Sequence, residues 1–269
     1  MPPAAALAAL HAGAEALWQR TAPVWPTLTV EVLPRIDSTN AELMRRARAG
    51  QTEPVVLTAL EQTAGRGRAG RPWITPPGAA LALSVGCWLN PADWSGLSLA
   101  VGVAVAEALG PAVQLKWPND LWWRQRKVGG ILIETANVPG PGPGRWCVAG
   151  IGLNGTAPDL PANASAHAVP PAGLREAEQA GELPAWPLAR LLEAVGYAVL
   201  HALTAFERAG LAPFLPRYAA RDALAGRALC LSDGTHGVAD GVAADGSLRL
   251  LTANGTVHVH QGDVSVRPC

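Results

Sequence analysis

Short apolar runs and apolar positions at regular spacing cover most of the chain. Helices are predicted where apolar residues recur at helical spacing or fill a long run, at 4–20, about 40–49 and 96–109. Strands are predicted where short apolar or alternating runs end at turn residues, at 28–33, 54–60 and 79–89. Thr39 and Glu42 have the spacing of a capping box and predict the start of the second helix.

The middle of the chain predicts four further strands, at 112–117, 120–123, 127–135 and 146–153. The charged turn at 124–126 joins the second and third of them into a hairpin. Residues 155–187 are rich in proline and alanine and lack a pattern, which is typical of a surface segment. Helices are predicted again at about 187–209 and 213–221.

The pattern changes after Gly226. Residues 227–267 are short apolar runs separated by DGTHG, ADG and ANG turns, which favour a small β-barrel. We therefore expect two domains, 1–222 and 226–269, with the boundary near 222–226. The interspersed helices and strands of the larger domain predict an α+β fold.

Composition narrows the class of protein. Formal charges cancel, which argues against a dedicated nucleic-acid surface. The N-terminus has no basic region, the apolar runs at 79–89 and 97–106 are too short to span a bilayer, and the four cysteines lie far apart. A soluble cytoplasmic protein with reduced thiols, no metal site and no membrane association is the expectation.

The basic residues are nineteen arginines and only two lysines, Lys116 and Lys127. Because a lysine ammonium is compact where a guanidinium is broad, two lysines eleven positions apart mark a place where that difference matters. Lys127 begins a predicted strand, and Gly129 and Gly130 leave room above it for a ligand. An ordinary hairpin with surface lysines is the alternative.

A loop of glycines and arginines follows the second strand. Gly65, Gly67 and Gly70 fit the dinucleotide-binding spacing, but proline and tryptophan follow where that motif needs a helix. Arginines make bidentate contacts to phosphate oxygens, and glycines let the backbone approach. The loop therefore predicts polyphosphate binding, with a solvated loop as the alternative. Its arginines are Arg66, Arg68 and Arg71.

Five segments together resemble biotin protein ligases, in order and at similar spacing. They are DSTN at 37–40, EQTAGRGRAGRPW at 61–73, KWPNDL at 116–121, KVGGILIE at 127–134 and GIGLN at 150–154. The resemblance covers about 28–155 strongly and the rest more weakly. It implies a mixed β-sheet catalytic domain similar to class II aminoacyl-tRNA synthetases, followed by a small SH3-like β-barrel.

The resemblance also implies the reaction and its participants. Biotin would be activated with ATP, accompanied by Mg²⁺, as biotinyl-5′-AMP and then passed to a lysine of a biotin carboxyl carrier protein. The catalytic residues implied are Lys127, Arg66, Arg68 and Lys116. Those implied to bind biotin are Ser38, Thr39, Asn40, Gln62, Arg66, Gly67, Arg68, Lys127 and Gly130. Those implied to bind ATP are Arg68, Arg71, Trp73, Lys116, Asn119, Asp120 and Asn154.

Several of these residues have a second interpretation. Ser38 and Thr39 are also suitable helix caps, Trp73 is also suitable for a core, and Asn154 is also a turn former. Asp120 either faces nucleotide and Mg²⁺ or orients Lys116 or Arg68.

Two other functions compete with the one implied. A lipoate–protein ligase would share the fold and the adenylation chemistry, and a vitamin-binding module without catalysis would need no triphosphate site. Some biotin ligases are also repressors with an N-terminal helix-turn-helix domain. Only about 36 residues precede DSTN here, with one predicted helix, so we expect neither that domain nor repression. A monomer or a homodimer is compatible with the sequence.

Overall fold

The computed structural model describes residues 2–159 and 170–260 and the backbone of 266–268. The helices are α1 Pro3–Thr21, α2 Thr39–Arg48, α3 Leu97–Leu109, α4 Leu174–Gln179, α5 Leu188–Ala209 and α6 Leu215–Ala219. The first seven strands are β1 Thr29–Ile36, β2 Val55–Gln62, β3 Ala80–Leu89, β4 Gln114–Lys116, β5 Asp120–Trp123, β6 Arg126–Ala136 and β7 Arg145–Asn154. The remaining strands are β8 Ala228–Leu231, β9 His236–Val242, β10 Leu248–Thr252, β11 Gly255–Val259 and β12 Val266–Pro268.

The large sheet has the strand order β1-β2-β3-β7-β6-β5-β4. Only β1 and β2 run parallel, and every other neighbouring pair is antiparallel. This mixed sheet with helices confirms the predicted α+β class, and the predicted strands lie within a few residues of the observed ones.

The two faces of the sheet have different roles. The back face is apolar and packs against α1, α3 and α5, which bury the main hydrophobic cluster. The front face is covered only in part, by α2 and a second small cluster around Leu43, Leu57 and Trp146. Polar side chains and glycines are therefore left to line the rest of the front face.

Helix α5 is long and apolar enough, by length and composition, to cross a membrane. Its apolar side packs against α1 and α3 and belongs to the main core cluster. We therefore interpret α5 as a helix of the hydrophobic core. Helix α1, which precedes β1, packs against α5 and β1.

The C-terminal residues form a second, antiparallel sheet in the order β11-β10-β9-β8-β12. Its inward side chains, among them Leu229, Leu248 and Leu250, belong to the same hydrophobic cluster as the back of the large sheet. Part of the strand pattern predicted at 227–267 lies outside the described residues, at 261–265.

The turn between β9 and β10 and the segment before β8 also contact the large sheet around β4. The Trp117 Nε1–H donates to the carbonyl of Gly246 at 3.0 Å. The Leu115 N–H donates to the Arg221 carbonyl, and the Ala223 N–H donates to the Leu115 carbonyl, each at 2.8 Å. Strand β4, which precedes the Trp117 turn, is thus held by the chain segment that leads into the second sheet.

Three sequence expectations need correction. The segment 155–187 contains a helix, α4, that was not predicted because its two buried residues, Leu174 and Ala177, are too few to show a period. Helix α2 begins one residue earlier than predicted, so Ser38 is its N-cap and the Thr39–Glu42 capping box is wrong. Cys87 and Cys147 are free and buried, whereas Cys230 is disulfide-bonded, contrary to the expectation of reduced thiols.

Candidate active site

The polar end of the front face begins at the N-terminus of α2. Ser38 is extended at the cap position, and its Oγ accepts the Ala41 N–H at 3.4 Å. Asp37 fixes the approach to the helix, because its carboxylate accepts both guanidinium N–H groups of Arg45, at 2.6 and 2.8 Å. This bidentate pair holds the pKa of Asp37 down at about 2.

A chain of side-chain hydrogen bonds joins α2 to the end of β2 and the middle of β3. The Thr39 N–H and Oγ1–H donate to Gln62 Oε1 at 2.8 and 3.1 Å, and Gln62 Nε2 donates to Thr75 Oγ1 at 3.2 Å. The Ser84 hydroxyl lies 2.7 Å from Thr39 Oγ1 and 2.6 Å from Asn40 Oδ1. These groups are buried or half-buried, so each fixes the position of the next.

Asn40 extends this network onto β6. Its Nδ2 donates to Glu134 Oε2 at 2.9 Å and to the Leu132 carbonyl at 3.3 Å. Its side chain rests on Gly150, where an added Cβ would lie 2.1 Å from Asn40 Oδ1. The first glycine of GIGLN is therefore required by the close approach of Asn40.

The sheet register places a row of small residues beside this network. Gly130 pairs with Gly152, Gly152 with Ala82, and Ala82 with Ala59. Directly paired residues point to the same side of a sheet, so the row lies on the front face. It forms a shallow floor that leads from the polar network towards Asp120, which pairs with Gly130.

Trp73 lies on this floor. A Cβ at Gly152 would be 2.3 Å from the indole, and one at Gly130 would be 3.7 Å from it. Among the described residues, the buried Trp73 Nε1–H has no hydrogen-bond partner. Trp73 is therefore a half-buried cover over the floor, and a molecule that occupies the floor must displace it.

The other end of the floor is cationic. Lys127 Nζ lies 2.7 Å from Asp120 Oδ1, and Lys116 Nζ lies 4.0 Å from Asp120 Oδ2. Lys127 is also 5.6 Å from the centre of the Trp73 ring, within the range of a cation–π contact. The two lysines of the chain thus meet at one carboxylate, as their isolation in the sequence suggested.

Burial alters the acid–base chemistry of this end. The pKa of Lys116 is lowered because burial penalises its ammonium form, although Asp120 favours that form. Lys127, Arg71 and Arg68 lower the Lys116 pKa further by charge repulsion. The pKa of Arg68 is also lowered, mainly by burial. Positive charge is concentrated here beyond what the single carboxylate neutralises.

The glycine–arginine loop folds back on itself beside the lysines. The Gly67 N–H donates to the Arg71 carbonyl at 2.7 Å, and the Trp73 N–H donates to the Gly65 carbonyl at 2.8 Å. Residues 68–70 form only a three-residue helical turn and the next element is β3, so this described segment lacks the helix of a dinucleotide-binding motif, as expected. Arg68 reaches Asn119 Oδ1 at 3.4 Å, whereas Arg66 and Arg71 are exposed.

Two predicted ATP-site residues have backbone partners in the structure. Asn119 Nδ2 donates to the Ile131 carbonyl at 2.7 Å, which ties the KWPND turn to β6. Asn154 Nδ2 donates to the Lys127 carbonyl at 3.2 Å and to the Ala172 carbonyl at 3.1 Å. Both amides therefore position the backbone around the lysines.

Sequence reasoning missed two members of the site, Ser84 and Glu134. Ser84 is fully buried and connects Thr39 to Asn40. Its signal was present, because it is the only hydroxyl within the apolar strand ALALSVGCWL. Glu134 was quoted as part of a motif, but its pairing with Asn40 across 94 positions leaves no trace in the sequence.

Comparison with known proteins identifies the family to which these features belong. Residues 32–151 match the model of the biotin/lipoate A/B protein ligase family. The bifunctional ligase/repressor BirA of Escherichia coli is 35% identical over 250 residues, which cover 89% of this chain and 74% of that protein. The biotin–[acetyl-CoA-carboxylase] ligase of Paracoccus denitrificans is 36% identical over 232 residues, or 81% of this chain and 92% of that one.

A solved structure agrees with these relatives. The biotin protein ligase from Aquifex aeolicus, determined in complex with biotin and ATP, superposes with a TM-score of 0.72. It is 26% identical, and the match covers 89% of this chain and 99% of that one.

The Asp37–Arg45 pair generates a testable prediction about pH. Because the pKa of Asp37 is lower in the folded protein than the ordinary 3.8, its carboxylate stabilises the fold above about pH 4, and this contribution is lost as the pH falls towards about 2. At pH 7, Asp37→Asn is expected to lower the free energy of unfolding by at most about 1 kcal/mol, since both side chains are nearly half exposed.

Urea unfolding from pH 7 to pH 2 tests this prediction. The difference between the wild type and Asp37→Asn should shrink as the pH falls, while the exposed Asp159→Asn serves as the control. A difference that stays constant down to pH 2 would contradict the proposed anchoring by the ionised carboxylate.

Proposed function

The chain belongs to the biotin protein ligase family, and from this membership we propose how its front face performs the reaction. The enzyme activates biotin with ATP and transfers the biotinyl group to a lysine of a carrier protein. In the first step, a biotin carboxylate oxygen attacks the α-phosphorus of ATP, the bond to the β-phosphate oxygen breaks, and pyrophosphate leaves. The product is biotinyl-5′-AMP.

One observation supports this function above the others: a single floor links a hydrogen-bonding end to a two-lysine end. Biotin has a polar ureido ring, an apolar body and a carboxylate, in that order. We place the ureido group at Thr39, Gln62 and Ser84, the body on the Gly130–Gly152–Ala82 row, and the carboxylate near Lys127. Ser38, Asn40, Arg66, Gly67 and Arg68 complete the proposed biotin contacts.

The cationic end supports the adenylation step. A carboxylate and a phosphate repel each other, so their reaction needs positive charge between them. Lys127 stands between the floor and Asp120, where its ammonium would contact both reacting groups. Lys116, Arg68 and Arg71 add charge on the side where we place the triphosphate, and Trp73 would move from the floor to pack against the nucleotide.

Mg²⁺ would arrive on the triphosphate and screen its charge. Within the described part of the chain, no group of three His, Cys, Asp or Glu side chains is arranged to hold a metal ion. The phosphates would therefore supply most of its ligands, with Asn119 and Asp120 as the nearest polar side chains at this end. Asn154 is proposed to border the nucleotide through its remaining amide oxygen.

The second step transfers the acyl group. The amine of a carrier lysine attacks the acyl carbon of the adenylate, AMP leaves, and the nitrogen loses a proton, so an amide forms. We propose that the carrier is the biotin carboxyl carrier protein of a carboxylase, by analogy with the biotin–[acetyl-CoA-carboxylase] ligase of Paracoccus denitrificans.

We propose that the large sheet has the class II aminoacyl-tRNA synthetase topology and that the second sheet closes as an SH3-like barrel. Residues 1–222 would hold the substrates, and 226–269 would brace the KWPND turn through Trp117 and Gly246. A cytoplasmic location and a monomer or homodimer without nucleic acid are proposed from the sequence.

Isotope exchange between pyrophosphate and ATP tests both the adenylation activity and the identity of the vitamin substrate. Exchange that depends on biotin is expected, because the floor ends at polar groups suited to a ureido ring. Lipoate has no such ring and should support little or no exchange. Exchange driven by lipoate would assign the chain to the other branch of the family, and tight biotin binding without exchange would indicate a non-catalytic module.

Substitution of Lys127 tests its proposed place in adenylation. Loss of one group that stabilises transition-state charge costs about 3–4 kcal/mol, or roughly 10²–10³ in rate. We expect this loss in both Lys127→Ala and Lys127→Arg, since a guanidinium is too broad to replace the ammonium. Biotin affinity should fall less than the single-turnover rate of biotinyl-AMP formation. Arg35→Ala, at an exposed ion pair, is the control, and a near-normal rate in Lys127→Arg would refute the requirement for a point charge.

The lowered pKa of Lys116 predicts the alkaline limb of the pH–rate profile. Its charged form is lost as the pH rises through a pKa below the usual 10.5, so the adenylation rate should fall by about tenfold per pH unit above that pKa. In Lys116→Arg, the side chain stays charged and this limb should move to higher pH, even if the maximal rate is lower. An unchanged limb would show that another group titrates.

A further inference from the structure

Residues 170–182, called the strap below, lie along the start of β6 and hold Lys127 by its backbone. The Lys127 N–H donates to the Pro170 carbonyl at 2.9 Å, and the Ala172 N–H donates to the Lys127 carbonyl at 2.8 Å. These two bonds make a parallel bridge between Lys127 and Pro171. Among the described residues, Lys127 is thus the one residue of β6 to which the strap pairs as an extra strand.

Asn154 reinforces the same bridge from the end of β7. It is buried, and its amide nitrogen contacts the carbonyls of both Lys127 and Ala172. Both N–H groups of the Asn154 amide are therefore used to hold the strap and Lys127 together.

Charged side chains clamp the strap to the β5–β6 hairpin, in which Lys127 is the second residue of β6. Arg126 donates through Nε and one terminal nitrogen to the Pro171 carbonyl, at 3.1 and 2.6 Å, and pairs with Glu176 at 2.5 Å. Glu176 Oε1 also accepts the Gly173 N–H at 2.9 Å. Glu182 accepts the Trp123 Nε1–H at 2.7 Å and forms an ion pair with Arg124.

The hairpin needs this support because its turn is strained. Arg124 and Gln125 have φ angles of 46° and 62°, a region that residues with side chains rarely occupy. Such strain persists only where surrounding contacts enforce it. The strap is itself anchored, because Ala172, Leu174 and Ala177 are buried in the main core cluster.

We propose that the strap is a positioning element for catalysis, in which Glu176 and Asn154 act through Lys127 without contacting the reacting atoms. The proposal rests on the adenylation function given above. A flexible lysine side chain that begins at a fixed backbone reaches fewer positions, so its ammonium spends more time beside Asp120 and the floor. Small displacements of a catalytic group cost large factors in rate, which gives the strap its effect.

Two neighbouring glutamates on α4 allow a matched test. Glu176→Gln removes the charge that pairs with Arg126 but keeps an oxygen for the Gly173 N–H. Glu178→Gln makes the same change at an exposed position of the same helix. We expect Glu176→Gln to lower the single-turnover adenylation rate by about tenfold with little change in the KM for biotin, and Glu178→Gln to match the wild type.

A double-substitution cycle separates positioning from general destabilisation. In a Lys127→Ala background, Glu176→Gln should cause no further loss of rate, because the lysine through which it acts is gone. An equal loss in both backgrounds would overturn the proposal. So would equal rates in Glu176→Gln and Glu178→Gln, or a rise in the KM for biotin with an unchanged rate.

Hydrogen exchange gives a second readout that does not depend on activity. The Lys127 and Ala172 amides should exchange faster in Glu176→Gln than in Glu178→Gln, while α5 keeps its protection. If the wild type fails to form biotinyl-AMP, the proposed function is wrong, and the exchange measurement still decides whether the strap holds Lys127. Unchanged exchange at both amides would overturn the proposal even in an active enzyme.

Discussion

Two lysines and a half-buried arginine converge near one carboxylate, Asp120, and the cost of gathering these like charges shapes the site. Lys127 makes close contact with Asp120, while Lys116 is further away and loses much of its hydration. Such a cluster is unfavourable in the folded protein on its own and becomes favourable when polyphosphate and carboxylate groups bind. The surrounding structure must therefore hold the cations in place despite their mutual repulsion.

The fold meets this demand by dividing its tasks between the two faces of the large sheet. The back face supplies stability through a continuous apolar core that the second sheet shares. The front face is thereby free to carry buried hydroxyls, amides and glycines, which contribute little to hydrophobic burial. Asn119, Asn154 and Ser84 use their hydrogen bonds mainly to fix neighbouring elements, and so convert local polar contacts into a defined site.

Periodicity predicted the strands and long helices of this fold because each buries one face, and the two lysines and the glycine–arginine loop were recognisable by residue type. Contacts between segments that are distant in the chain could not be predicted from the sequence. The bonds that Asn154 makes to Lys127 and Ala172 depend on where strands end in space. Helix α4 was missed because its apolar residues are too few to repeat, and the pairing of Asn40 with Glu134 joins segments that nothing in the sequence connects.

The two glycines of the floor, Gly130 and Gly152, also limit how this protein can come to accept a new substrate. Gly130 and Gly152 have no side chain left to shorten, so every substitution at either position adds atoms and makes the groove shallower. Room for a bulkier vitamin analogue must therefore come from changes in the side chains that surround and cover the floor. Trp73 is the large side chain that covers the floor, and among the described residues its buried indole N–H has no hydrogen-bond partner to hold it there. Variation in specificity should consequently concentrate in the loop above the sheet, while the sheet itself stays constant.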